Sequence, residues 1–90
     1  MSSRAERLEA RLRSALEITE LEIVDDSARH HGHAGAADGR GHFSVLVVSP
    51  AFAGLSTLRR HRLVYEAVGD LMVTDIHALS IVATAPDERA

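Results

Sequence analysis

Residues 42–49 (HFSVLVVS) constrain the fold more than any other segment, because an extended chain here is apolar on both faces. Successive side chains of a strand point to opposite sides of a sheet. Large apolar residues occupy both sides of this segment: Phe43, Val45 and Val47 on one, and Leu46 and Val48 on the other. A strand of this kind is typical of the interior of a sheet, where neighbouring elements cover it. The sequence therefore predicts a sheet in which 42–49 is the central strand.

Two further segments are expected to pair into this sheet. Residues 20–25 (ELEIVD) place Leu21 and Ile23 between polar neighbours, which predicts a half-buried strand paired with 42–49. Residues 76–83 (IHALSIVA) predict the last strand. Strict alternation puts His77 of that strand on the face formed by Leu79, Ile81 and Ala83.

Two segments have the apolar spacing of amphipathic helices. Residues 4–16 repeat leucine every four positions, and Ser2 or Ser3 can cap the start. Residues 57–72 follow Ser56 as a second N-cap, and the apolar face is expected to comprise Leu58, Val64, Tyr65, Val68, Leu71 and Met72. His61 falls within this face, so we expect it to be a hydrogen-bonded core residue.

The segment 26–41 separates the first two strands and has a different composition. It holds four glycines, three histidines and no large apolar residue, which predicts a long flexible loop. Long loops of this kind are often functional. The chain of 90 residues is thus expected to form one α+β domain, 1–90, with its core at 3–88. Its element order is α-β-β-α-(α)-β, with a three-stranded sheet packed on helices.

Composition excludes several classes of function. The chain contains no cysteine, so thiolate ligands for an iron–sulfur cluster would have to come from another molecule. Its net charge of −3 argues against a general polyanion binder, and no apolar run is long enough to span a membrane. No nucleophile elbow or phosphate loop is present, so we do not expect an enzyme. A cytoplasmic location is the default expectation.

Three motifs together identify a family resemblance. They are VDDSxxH from Val24, an F-x-G-x-S-x-L-x-R-H-R-x-V block from Phe52 within the segment 41–68, and IHALSIVATAPDE from Ile76. In this combination the chain resembles the BolA family from about Leu8 to Glu88. The resemblance implies a class II KH-like fold and partnership with monothiol glutaredoxins.

The same resemblance implies a cofactor and its ligands. Proteins of this family share a [2Fe–2S] cluster with a glutaredoxin, whose cysteine and a bound glutathione complete the ligand set. His77 matches the histidine ligand of the last strand, and His30 matches the second ligand, which the family supplies from the loop between the first two strands. His31 and His33 lie beside His30, so which of the three binds is left open.

Two alternatives remain at the level of the sequence. His42 is expected to be a residue at the entry to its strand, and it is also a candidate substitute ligand. The cluster of Arg59, Arg60 and Arg62 is a candidate contact for a partner or for DNA, because some family members are described as transcriptional regulators. The leading hypothesis is a non-enzymatic adaptor in iron–sulfur cluster trafficking or iron homeostasis, and the alternative is a DNA-binding regulator.

Overall fold

The computed structural model describes residues 3–26 and 41–88, which form one α+β domain. Helix α1 (Arg4–Ala15) is followed by strands β1 (Glu20–Asp25) and β2 (Gly41–Val48). A 3₁₀ turn (Pro50–Phe52) leads into helices α2 (Thr57–Val68) and α3 (Leu71–Thr74), then strand β3 (Ile76–Thr84) and a last 3₁₀ turn (Pro86–Glu88). The predicted order of elements is confirmed. Most of the predicted loop, residues 27–40, lies outside the described residues.

Strand β2 is the central strand, as the sequence predicts. The three strands lie in the order β1-β2-β3, with β1 antiparallel and β3 parallel to β2. The parallel pairing requires a crossover, which α2 and α3 provide. Phe43, Val45 and Val47 face the helices and lie within the core.

Helix α1 closes one side of this core. Leu8 and Leu12 are fully buried, which follows from their spacing of one turn. Ser3 is the N-cap: its hydroxyl accepts a hydrogen bond from the Glu6 N–H, and the Glu6 carboxylate accepts one from the Ser3 N–H. This reciprocal pair satisfies two backbone donors that the first turn would otherwise leave unpaired.

The prediction of one continuous helix over 57–72 is wrong, because the chain turns at Gly69. Gly69 adopts a φ of +60°, and its N–H donates to the carbonyl of Tyr65, which ends α2. A side chain at this position would also crowd Arg11, whose Nη1 lies 3.2 Å from the place a Cβ would take. Glycine therefore suits this corner, and the chain resumes in the short α3.

The buried face of α2 is narrower than the sequence pattern suggests. Val64, Ala67, Val68 and, beyond the break, Leu71 are buried with the i, i+3, i+4, i+7 spacing of a single helical stripe. Leu58 and Tyr65 lie about 130° and about 110° from the centre of that stripe and are 61% and 43% exposed. Their predicted burial is wrong because only the part of the helix facing α1 and β3 is covered.

A half-buried arginine, Arg60, joins α2 to the end of the chain. Arg60 Nη1 and Nη2 lie 2.6 and 2.7 Å from the two carboxylate oxygens of Glu88. The same guanidinium donates to the carbonyls of Leu55 and Ala83 at 2.9 and 3.1 Å. The hydrogen bonds that Glu88 accepts from Arg60, followed by the one from the Ala85 N–H, lower the pKa of Glu88 to about 2. The last 3₁₀ turn is thereby fixed against α2 and β3.

We expect acid to weaken this attachment. Glu88 has a folded-state pKa below its unfolded value of about 4.3, so its contribution to stability is present at neutral pH. That contribution is lost as the pH falls from about 4.5 towards 2. Glu88→Gln should therefore flatten the dependence of unfolding free energy on pH in this window, measured by urea denaturation. Glu17→Gln, at an exposed glutamate, is the control, and equal slopes in the two variants would contradict the assignment.

Candidate metal-ligand site

His77 is the second residue of β3, and its side chain is exposed. Gly41 of β2 pairs with Ile76, but His42 pairs with Ala78, so His77 is an extra residue in the ladder. Such a bulge changes the direction of a side chain relative to regular alternation. His77 therefore lies at an irregular point of the sheet rather than in the regular ladder.

The predicted face of His77 is wrong for this reason. Regular alternation would place His77 with Leu79 and Ile81, and Ile76 on the opposite face. The structure buries Ile76 completely in the core together with Leu79 and Ile81, which pack against the same cluster. The register shift between Gly41 and His42 brings Ile76 inwards and leaves His77 open to the surroundings.

His42 and His77 form a pair of neighbouring imidazole rings across β2 and β3. Their centroids are 5.0 Å apart and their planes are inclined at 51°. His42 is only 9% exposed, whereas His77 is exposed, so the pair has a buried member and an open one. The sequence suggested His42 only as a strand-entry residue and a substitute ligand. Its proximity to His77 arises from the sheet register and could not be inferred from spacing.

Asp75 anchors the chain immediately before this pair. Its carboxylate accepts hydrogen bonds from Thr74 Oγ1 at 2.6 Å and from Arg7 of α1, and Arg4 Nε lies 3.8 Å away. The Thr74 hydroxyl, followed by the Arg7 guanidinium, lowers the pKa of Asp75. The Asp75 carbonyl accepts the Gly41 N–H at 2.9 Å. The start of β3 is thus attached both to α1 and to β2.

The three loop histidines, His30, His31 and His33, lie outside the described residues, so their assignment remains a prediction. The residues on either side of this segment, Asp26 and Gly41, are described. The Asp26 N–H donates to the His42 carbonyl at 2.7 Å, and the Gly41 N–H donates to the Asp75 carbonyl. Asp26 and Gly41, which flank the segment 27–40, are therefore attached to backbone at or close to His42 and His77.

The arginine cluster divides into two kinds of residue. Arg60 is committed to Glu88 and to two backbone carbonyls, whereas Arg59 and Arg62 are exposed. Only the latter two therefore present guanidinium groups on the surface of α2. His61, between them, is half-buried rather than fully in the core.

A shallow groove lies elsewhere, between α1 and β1. Its volume is about 250 Å³, and it is lined by Ala5, Glu6, Glu9, Leu21 and Ile23. Neither His42 nor His77 lines it. Within residues 3–26 and 41–88, no group of three or more histidine, aspartate or glutamate side chains could hold a metal ion. The histidine pair therefore offers an incomplete ligand set.

Comparison with known proteins identifies the family. The model of the family described as "BolA-like protein" matches residues 12–88. The chain is 43% identical over 91 residues to "Protein BOLA1, chloroplastic" of Arabidopsis thaliana, covering 98% of this chain and 57% of that protein. A structure described as "BolA1 from Arabidopsis thaliana" superposes with a TM-score of 0.84 at 38% identity, covering both chains completely. The chain belongs to the BolA family.

Two other relatives differ in what their names describe. The chain is 44% identical over 93 residues to "SufE-like protein 1, chloroplastic/mitochondrial" of Arabidopsis thaliana, covering 98% of this chain but 25% of that protein. It is 41% identical over 76 residues to "DNA-binding transcriptional regulator BolA" of Escherichia coli, covering 84% and 70% of the two chains. The chain thus spans only a quarter to just over half of the two plant relatives. None of the helices in the described part of the chain is long and apolar enough to cross a membrane.

Proposed function

We propose that this protein is a non-enzymatic adaptor that binds a monothiol glutaredoxin and contributes ligands to a [2Fe–2S] cluster held between them. The observation that carries the proposal is the exposed imidazole of His77, at a bulge beside the buried ring of His42. A cytoplasmic location and a role in iron–sulfur cluster trafficking or iron homeostasis belong to the same proposal.

The donor set of this chain fits a shared group better than a resident one. A neutral imidazole nitrogen is a good ligand for iron, and bulges are common next to functional sites. The chain has no cysteine, so a partner must supply any thiolates. The exposed ring of His77 is accessible to such a partner, and the loop carrying His30, His31 and His33 begins and ends close to it.

Histidine ligation would alter the chemistry of the shared cluster. Replacing thiolates by neutral imidazoles on one iron raises the reduction potential and removes negative charge. In this chain, His77 would hold the iron from a strand attached to α1 through Asp75 and Arg7. The arrangement supports a cluster that is bound less tightly than an all-thiolate one. Such a cluster suits transfer to another protein or a sensing role.

The direct test mixes the protein with a cluster-loaded monothiol glutaredoxin in the presence of glutathione. Visible absorption and circular dichroism should change to a new spectrum that saturates at a defined ratio of the two proteins. The glutaredoxin alone and this protein alone are the controls. An unchanged glutaredoxin spectrum at all ratios would contradict the proposed function.

A DNA-binding regulator is the second candidate, favoured by the two exposed arginines of α2, Arg59 and Arg62. The name of the Escherichia coli relative points in the same direction. Phosphate contacts by arginine give salt-dependent binding without sequence preference. With Arg60 committed to Glu88, this surface is small.

We therefore expect weak, non-specific DNA binding, with Kd on the order of 10⁻⁴–10⁻⁶ M at physiological salt. Arg59→Gln combined with Arg62→Gln should weaken it further and reduce its dependence on salt, as measured by fluorescence anisotropy with labelled duplexes. The control is Arg13→Gln, which removes an exposed arginine of α1. Nanomolar, sequence-selective binding by the wild type would favour the regulator over the adaptor.

A further inference from the structure

We propose that His42 is a positioning residue, whose buried ring holds the exposed ring of His77 in the orientation needed for ligation. The inference rests on the proposed function for its purpose, but the contact itself belongs to the free protein. It assigns His42 a role different from that of a ligand.

The bulge in β3 creates the need for such support. His77 is the extra residue between the pairs Gly41–Ile76 and His42–Ala78, so the regular ladder does not set the direction of its side chain. The side chain is also exposed, so packing in the core does not fix its ring. A ligand with several accessible orientations must lose them when the metal binds, which lowers affinity.

The ring of His42 is placed to limit that freedom. A centroid separation of 5.0 Å and an inclination of 51° lie within the range of packed aromatic pairs. His42 is itself held firmly, because its carbonyl accepts the Asp26 N–H at 2.7 Å and its side chain is 9% exposed. One side of the His77 ring therefore lies against the ring of His42, while the side chain as a whole stays exposed.

Burial distinguishes this role from ligation. The Nε2 atom of His42 is shielded from solvent, whereas a ligand to a cluster shared with another protein must be open to that protein. His77 is exposed and meets that requirement, whereas His42 is only 9% exposed. The pair thus combines an outer ring that binds with an inner ring that orients it.

Two substitutions at position 42 separate the effect of ring packing on the His77 ring from the other effects of His42. His42→Phe keeps a flat ring against His77, whereas His42→Val removes the ring but retains an apolar residue with high β-strand propensity at this buried site. His61→Ala, at the half-buried histidine of α2, is the control for loss of an imidazole elsewhere. Thermal unfolding followed by circular dichroism establishes that each variant is folded.

The first readout uses the free protein and needs no cluster. NMR relaxation of the His77 ring should show equal order in the wild type, His42→Phe and His61→Ala, and a lower order in His42→Val. The second readout is the visible circular dichroism of the glutaredoxin complex. His42→Val should weaken assembly of the mixed cluster about two- to tenfold, the loss expected from ordering one free side chain, and His42→Phe should restore it.

Three outcomes of these measurements would contradict either the positioning role of His42 or the proposed function. If His42→Val leaves both the order of the His77 ring and the cluster titration at wild-type values, the positioning role is wrong. If folded His42→Phe keeps the ring ordered yet loses the cluster as completely as His77→Ala, His42 is itself a ligand, which also overturns the proposal. If the wild type forms no mixed cluster, the proposed function fails, and the NMR comparison still decides whether His42 orders His77.

Discussion

His77→Ala is expected to abolish the mixed cluster spectrum with glutaredoxin while leaving the domain folded. The side chain is exposed and lies outside the hydrophobic core, so its removal should lower the unfolding free energy by no more than about 1.5 kcal/mol, the upper range for the ring pair it forms with His42. Its loss would remove the accessible imidazole that β3 supplies. Visible circular dichroism of the complex and a thermal melt of the free variant measure the two effects separately.

The loop histidines provide the comparison for this prediction. His30→Ala should weaken the cluster less, because His31 and His33 neighbour it in the sequence and can replace it as a ligand. Only the triple substitution of His30, His31 and His33 should approach the loss caused by His77→Ala. An unchanged cluster spectrum in His77→Ala would show that the ligand is wrong and leave protein–protein docking alone to explain a glutaredoxin complex.

Val47→Asp should unfold the domain or lower its Tm by at least about 20 °C. Val47 is fully buried in the central strand, and an unpaired carboxylate there would cost about 3–5 kcal/mol in addition to the lost apolar burial. A small domain has a total unfolding free energy of only about 5–15 kcal/mol. Far-UV circular dichroism and its thermal transition are the measurements.

A matched substitution on the neighbouring strand is the control. Val82 of β3 is 59% exposed, so Val82→Asp adds the same charge to the same sheet without burying it. We expect its Tm to stay within a few degrees of the wild type. If the two variants unfold at similar temperatures, the large effect at Val47 does not come from burial in the central strand.

The element order and the inner face of β2 were predictable because each depends on neighbours within one turn or one strand. The alternation of Phe43, Val45 and Val47 correctly indicated the central strand, and the leucine spacing correctly indicated α1. Ser3 and Ser56 are the N-caps that the sequence suggested. The family motifs likewise lie within continuous segments.

The errors arose where regular periodicity is interrupted. Gly69 divides the predicted second helix because it adopts a positive φ, at which α2 ends and which glycine takes without strain. Leu58 and Tyr65 match an apolar pattern, but their side chains lie outside the part of the α2 surface that neighbouring elements cover. Helix propensity and residue spacing give no information about how much of the helix surface the neighbouring elements bury.

By itself, the sequence determined the class of fold, the central strand and the identity of His77 as the leading ligand candidate. Tertiary structure alone decided that His77 is open, that His42 lies against it and that Arg60 is committed to Glu88. The physical reason is that these contacts join residues on different elements. Their distances depend on the register between β2 and β3 and on the packing of α2, neither of which a local pattern specifies.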